Sequence, residues 1–296
     1  MGKLFQYIFR NLDDEKYLKL YWFKKWHKAL DLTEPKTLNE KIQWLKLHWR
    51  KPIMTEWVDK FSAKELAGAA IGNDYVIPLL GVWDRWEDIE WNTLPDSFVL
   101  KATNGSGNKG IIICHDKAKL DIAGEERKFK RAMSKNAYYK FREWPYKDIK
   151  PRIIAEPLLA DTSGNNSEGL ADYKLMCFDG KPHDIMVALE RQGSGARFFY
   201  FDRNWHLLKY DKDTVTLPDD FTLPMPGGIE TVHKMFDLAE KLSQGFPMCR
   251  ADFYYAEGRI WFGELTFYPC AGFDKQITYD ADRLYGDLLE LPVPTD

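Results

Sequence analysis

The 296-residue chain carries 42 Lys and Arg against 45 Asp and Glu, a formal charge of −3, so no global basic field marks it for nucleic acid. At 45% hydrophobic and 29% charged residues the composition is that of a globular protein and excludes wholesale disorder; such a chain buries roughly three quarters of the surface it exposes when unfolded. No run of about 18 apolar residues is present, and no apolar leader with a small-residue cleavage site, so neither a membrane span nor a signal peptide is expected.

Two features depart from the average. Aromatic residues reach 15%, with eleven Trp, and residues 1–51 hold 12 Lys and Arg against 6 Asp and Glu. A basic, aromatic N-terminal segment suits an anionic surface or substrate. Residues 13–30 read as an amphipathic helix in which Leu18, Trp22 and Trp26 recur at four-residue steps among Lys19, Lys24, Lys25 and Lys28. It either lies in a membrane interface or packs on its own domain with a solvated lysine face.

Thr37-Leu-Asn-Glu40 predicts a capping box opening a second helix through Ile42, Leu45 and Trp49. Asp59-Lys60 begins a helix to Ala70, stopped by Gly72-Asn-Asp74, and Tyr75–Leu80 reads as a short strand. Phe98–Lys101 and Ile111–Cys114 flank the Gly-rich segment Asn104–Gly110 and predict a β-hairpin. The G-K-[ST] ending and following helix of a Walker loop are missing. Residues 121–143 are polar and helical, Pro151–Leu159 is a strand, and 161–169 is a loop. Asp172–Phe178, Asp179-Gly180 and Ile185–Leu189 form a hairpin with a D-G turn. A strand over 198–208, a Pro- and Gly-rich connection, a helix Ile229–Leu242 and a last hairpin, Met248–Tyr255 with Ile260–Phe267, complete an α+β pattern. Cys114, Cys177, Cys249 and Cys270 lack C-x-x-C spacing and sit in near-apolar runs, so they read as small core residues of a protein in the reducing cytoplasm.

Arg250, Asp252 and Glu264 form the sharpest cluster. Residues two apart on a strand share a face, so Arg250 lies beside Asp252, and pairing across the hairpin brings Asp252 and Glu264 together. Two close carboxylates suit Mg²⁺, with Arg250 placed to stabilise a transferring phosphoryl group; a cross-strand salt bridge is the alternative. Lys101 stands before loop amides at Gly105, Ser106, Gly107 and Gly110, which can form an anion nest or an ordinary turn. Glu156–Leu159 can offer backbone groups to an adenine edge, and Lys174 and Arg191 can meet phosphates or a carboxylate or be surface charges.

The order of these pieces resembles the ATP-grasp superfamily. Asp59-Lys60 looks like its D-K helix start, Phe98–Lys101 with Asn104–Gly110 its strand and phosphate loop, and Glu156–Leu159 the hinge that holds adenine. Arg250-Ala-Asp252 and Glu264-Leu-Thr266 resemble the R-x-D and E-x-N metal hairpin of D-alanine–D-alanine ligases, with Thr266 where Asn is usual. Within the superfamily the chain resembles the TupA-like ATP-grasp proteins over roughly 35–275, through Pro35–Leu45, Asp59-Lys60, Leu94–Lys101, Asp172-Tyr-Lys174 and Phe262–Thr266. That resemblance implies two α+β subdomains gripping ATP after a basic helical region 1–58, the ATP-grasp unit 59–296 having parts 59–97, 98–159 and 160–296. It implies ATP- and Mg²⁺-dependent joining of a carboxylate to an amine in the synthesis of a bacterial surface polysaccharide.

The roles it implies are Lys60, Lys101 and Lys174 with Asn104, Gly105, Ser106 and Gly107 on phosphates, Glu156 and Leu159 at the adenine, and Asp252, Glu264 and Thr266 on Mg²⁺. Arg250 steadies the transferring group and Arg191 the acceptor carboxylate. The partners implied are an acidic glycan or uronic acid and an amine such as an amino acid, with a further contact between the basic helix and the inner membrane face. Other readings are a sugar kinase, a glycan-binding protein supported by the Trp content, and a nucleotide-sugar glycosyltransferase, for which Asp211-Lys-Asp213 is the candidate motif.

Overall fold

The computed structural model describes residues 9–105, 110–160, 170–191 and 195–295, the side chains of 190, 191, 195 and 196 apart. Contacts divide the chain into two compact units. One comprises Lys51–Leu159 with the described part of Met1–Arg10, the other Asn11–Arg50 with Ala160–Asp296, so residues 1–58 are divided between them.

Helices α1 (Asp14–Trp26) and α2 (Leu38–His48) belong to the second unit. Asp13 caps α1 by accepting from the Glu15 and Lys16 amides, and His27 ends it in the left-handed region, short of residue 30. Tyr17, Leu18, Tyr21 and Trp22 are buried, with Tyr21 edge-on to Phe273 at 4.9 Å. Three of the five aromatic residues of α1, Tyr17, Tyr21 and Trp22, therefore go into the core. The capping box at α2 forms as expected: Thr37 accepts from the Glu40 amide and the Glu40 carboxylate accepts from the Thr37 amide.

The first unit follows, with α3 (Ile53–Val58), α4 (Ser62–Ile71), β1 (Gly81–Trp83), β2 (Phe98–Ala102), β3 (Ile111–Cys114), α5 (Ile122–Met133), α6 (Tyr138–Phe141) and β4 (Ile153–Pro157). Its strands form one antiparallel sheet in the order β1-β4-β2-β3. Phe98, Leu100 and Ala102 alternate along β2 into a core with Trp86, Phe129 and Ile153, which leaves Lys101 on the other face. Fully burying each large side chain contributes about 1.5–3 kcal/mol.

Several boundaries differ from expectation. Asp59 does not open the helix expected to run to Ala70, which starts at Ser62. It joins α3, unforeseen in the sequence, to α4, and its carboxylate accepts from the Phe61 amide and the Ser62 hydroxyl. The strand expected at Tyr75–Leu80 is instead a helical turn and an extended approach, because Pro78 has no amide for a ladder; β1 starts at Gly81. The helical stretch 121–143 breaks between Met133 and Tyr138.

The second unit continues with β5 (Asp172–Phe178), β6 (Lys181–Arg191), β7 (Gly195–Phe201), β8 (Leu207–Leu208), α7 (Gly228–Leu242), β9 (Met248–Ala256), β10 (Arg259–Thr266) and α8 (Tyr279–Leu288). Its antiparallel sheet runs β10-β9-β5-β6-β7-β8. Turns Asp179-Gly180 and Glu257-Gly258, with φ of 47° and 73°, and 55° and 76°, carry the positive-φ pairs that match hairpin twist. The 198–208 strand is split by a turn held by the Asp202 carboxylate, which accepts from the Asn204 and His206 amides.

Helix α2 also grips the turn after β10. Cys270, Ala271 and Gly272 all take left-handed φ, at 48°, 53° and 64°. Gln43 Nε2 donates to the Ala271 and Gly272 carbonyls and Lys46 Nζ to Ala271, while Asn39 exchanges hydrogen bonds with the Asp274 backbone. Cys270 is exposed there, against the core role expected of it; the other three cysteines are buried.

Candidate functional site

The second unit assembles a charged row on one sheet face. Lys174 on β5, Asp252 on β9 and Glu264 on β10 are successive Cα partners, and Arg250 and Thr266 are partners one step along. By strand alternation this face lies opposite the one carrying the buried Tyr173, Leu175, Ala251 and Phe253. Arg250 forks onto Asp252, Nε to Oδ1 and Nη2 to Oδ2, both at 2.7 Å. Lys174 Nζ donates to Asp252 Oδ2 at 2.7 Å and lies 3.2 Å from Asp172. Arg250 also reaches Glu264 at 4.0 Å and donates to the Thr266 hydroxyl at 3.5 Å.

The electrostatics follow from burial plus pairing. Burial pushes the Asp252 carboxyl up, but Arg250 and Lys174 outweigh it and hold it below the usual carboxylate range. Burial likewise pulls Arg250 and Lys174 down, and Asp252 more than restores both. Burial pushes Asp172 above its ordinary value, and the negative charges of Asp252 and Glu264 add to the rise that Lys174 opposes. Asp252 is thus held ionised, and Asp172 is held toward its neutral form.

The donor set fits Mg²⁺. Among the described residues no group of three or more His, Cys, Asp or Glu can form an all-protein cage. Two carboxylates directly across a hairpin are what this hard cation uses when phosphates and water complete its shell. Asp252 Oδ1 keeps a lone pair beyond its bond to Arg250, whereas Oδ2 already accepts from both Arg250 and Lys174.

The first unit carries a second cluster. Glu156 is buried and accepts from Lys64 at 2.6 Å on one oxygen and from Lys101 at 2.6 Å on the other. Burial raises its carboxyl, but the two lysines outweigh that and hold it below its ordinary value. Lys64, unanticipated by the sequence reading, also donates to the Ile77 carbonyl. The Glu156 side chain is therefore a lysine anchor, and Leu159 lies half-buried just beyond β4.

Lys60 sits at the foot of the Gly-rich loop. Its amide donates to Thr103 and its Nζ to the Gly105 carbonyl at 2.7 Å. Asn104 spends its amide nitrogen on the Met133 and Lys135 carbonyls at the end of α5, and its buried Oδ1 has no hydrogen-bond partner among the described residues. Ser106 and Gly107 lie outside the described residues, as does the Arg191 side chain. Asp211 is buried and its Oδ1 accepts from the Asp213 amide, so in Asp211-Lys-Asp213 the first carboxylate serves its own turn. No helix among the described residues is long and apolar enough to cross a membrane.

Among solved structures the chain is similar to D-alanine–D-alanine ligase from Bacillus anthracis, at 14% identity and TM-score 0.47, covering 97% of this chain and 88% of that one. It is also similar to the D-alanine–D-alanine ligase of Helicobacter pylori, at 13% identity and TM-score 0.46 over 86% and 69% of the chains. D-cycloserine synthetase DcsG follows, at 12% identity and TM-score 0.42 over 80% and 72%. No curated protein matches by sequence. The family model TupA-like ATPgrasp matches residues 40–290, which take in both charged clusters and the clamp of α2 on the turn after β10, and the chain belongs to that ATP-grasp family.

Proposed function

We propose that this protein is an ATP- and Mg²⁺-dependent carboxylate–amine ligase. The γ-phosphoryl group of ATP passes to a substrate carboxylate, giving an acyl phosphate and ADP; an amine then attacks the acyl carbon and expels inorganic phosphate. The observation that carries this reading is the row Lys174–Asp252–Glu264, flanked by Arg250. It pairs fixed cations with a carboxylate pair and contains no covalent nucleophile, and phosphoryl transfer needs positioning and charge neutralisation more than covalent catalysis.

Asp252 and Glu264 are the residues that hold Mg²⁺, with the Thr266 hydroxyl as a third oxygen, and the cation supplies neutralisation of phosphate charge. Arg250, kept cationic and rigid by its fork onto Asp252, faces the charge that builds on the transferring group. Lys60, Lys101 and Lys174 hold phosphate oxygens, Lys101 being aimed by Glu156. The Gly-rich loop adds amides at Gly105, Ser106 and Gly107, and the Glu156–Leu159 segment offers backbone groups to adenine. The acceptor is the carboxylate of a uronic acid in a bacterial surface polysaccharide, recognised by Arg191, and the amine is an amino acid.

The test is mass spectrometry of uronic-acid glycans incubated with the protein, Mg²⁺, ATP and mixed amino acids. Amide-linked product with release of free phosphate is expected. A phosphorylated sugar would replace the ligase by a kinase. In parallel, ATP at about 100 times its Kd should stabilise the protein by about 2.7 kcal/mol, and only with Mg²⁺ present. No change in Tm at any ATP and Mg²⁺ concentration would overturn both chemistries.

A further inference from the structure

Glu156 acts on Lys101 in two opposed ways. Val99 is its Cα partner across β2 and β4, and Lys101 stands two residues further along β2. The carboxylate and the ammonium are therefore diagonal neighbours on the sheet face opposite Phe98, Leu100 and Ala102. Their 2.6 Å bond fixes where the ammonium sits. The same carboxylate also cancels the charge of the lysine it aims, and it repels any anion that the lysine would hold. The Glu156 side chain is 5% and that of Lys101 18% exposed, so water screens little of this conflict.

Lys64 stands where the conflict can be removed. It comes from α4, bonds the Glu156 oxygen that Lys101 leaves, and gives a second hydrogen bond to the Ile77 carbonyl. Two of the three donors of its ammonium are thus spent inside the protein. With Lys64 the three side chains carry one net positive charge; without it they carry none. We propose that Lys64 is a positioning residue for phosphate binding: it neutralises Glu156, so that Lys101 meets a phosphate both aimed and with its charge intact. The inference rests on the reading that Lys101 holds phosphate oxygens of ATP. It gives Lys64 no contact with the nucleotide; Lys64 acts through the carboxylate it shares with Lys101.

Calorimetric titration of the full chain with ATP and Mg²⁺ tests it. Lys64→Met should raise the Kd for ATP by about tenfold or more, and Lys64→Arg, which keeps the charge, should stay near the wild type. Should Lys64→Met not fold, Lys64→Gln, which keeps a donor for the Ile77 carbonyl, takes its place. The double variant Lys64→Met/Glu156→Gln restores the single positive charge and should recover most of the lost affinity. A merely structural role for Lys64 predicts no such recovery, because the second substitution removes a further ionic partner. Lys101→Met should weaken ATP at least as much as Lys64→Met. Wild-type affinity in Lys64→Met, or a double variant no tighter than Lys64→Met, would overturn the inference while Lys101→Met still binds poorly. Wild-type affinity in Lys101→Met, or no ATP binding by the wild type, would remove the phosphate reading itself and the inference with it.

Discussion

Asp252 and Glu264 face each other across β9 and β10 only because the register slips between Phe262 and Glu264. Up to that point Phe262 pairs with Phe253; continued regularly, Gly263 would oppose Asp252 and Glu264 would turn to the other face. One bulged residue therefore decides whether the two carboxylates meet.

Glycine leaves the bulge the room it uses. A Cβ on Gly263 would stand 3.0 Å from the Tyr254 ring and 3.1 Å from the Asp252 carbonyl oxygen. Gly263→Val should cost about 1–3 kcal/mol and abolish the Mg²⁺-dependent part of ATP stabilisation. Thermal melts with and without Mg²⁺ separate the two effects. A variant that keeps the full Mg²⁺-dependent shift would detach the bulge from the site.

Glu156 and Lys64 give an asymmetric pair of variants. Glu156→Ala removes the buried carboxylate between two half-buried lysines and should cost about 3–5 kcal/mol. Lys64→Met leaves Glu156 its bond to Lys101 and should cost about 1–3 kcal/mol. Urea unfolding measures both, and equal costs would contradict the shared anchor.

Stability should fall on both sides of neutral pH, for opposite reasons. Asp252 and Glu156 lie below their ordinary values in the fold, so their contribution is present above the unfolded carboxylate pKa of about 4 and is lost as pH falls through the folded values. Asp184 behaves inversely: burial raises it, although His183 and the Tyr285 hydroxyl bond its Oδ2. Its contribution is present in acid and is lost as pH rises through its folded value. Unfolding measured from pH 4 to 8 should show Asp184→Asn with a flatter alkaline side than the wild type.

The turn after β10 depends on α2. A Cβ on Gly272, already at φ 64°, would lie 2.3 Å from Gln43 Nε2 and 2.7 Å from Ile42 Cγ2. Gly272→Ala should therefore destabilise by about 2–4 kcal/mol, and Lys46→Met, which strips the Ala271 carbonyl of a buried charged donor, by a similar amount. Denaturant melts check both; tolerance of either would show that the turn holds itself.

What could be read from the sequence was what acts locally. The Thr37–Glu40 box, the D-G turn and the face shared by Arg250 and Asp252 follow from spacing, and all are present. What could not be read depends on partners far along the chain. Gly263 gives no sign of a bulge, Lys64 none of the carboxylate at residue 156, and Asn104 none that its amide is spent on Met133 and Lys135. Cys270 looked like a core residue because its neighbours are apolar, but three consecutive left-handed residues turn it outward.

The division of the chain has a consequence for its synthesis. Asn39 bonds Asp282, a separation of 243 residues, and Gln43 and Lys46 close on carbonyls near residue 271. Helices α1 and α2 leave the ribosome 225 to 243 residues ahead of the partners they bond. The intervening Lys51–Leu159 segment closes on its own sheet much sooner. At roughly 5–20 residues per second the aromatic face of α1 waits for on the order of ten seconds or more in the nascent chain. During that interval Tyr17, Trp22 and Trp26 are the residues a chaperone would meet.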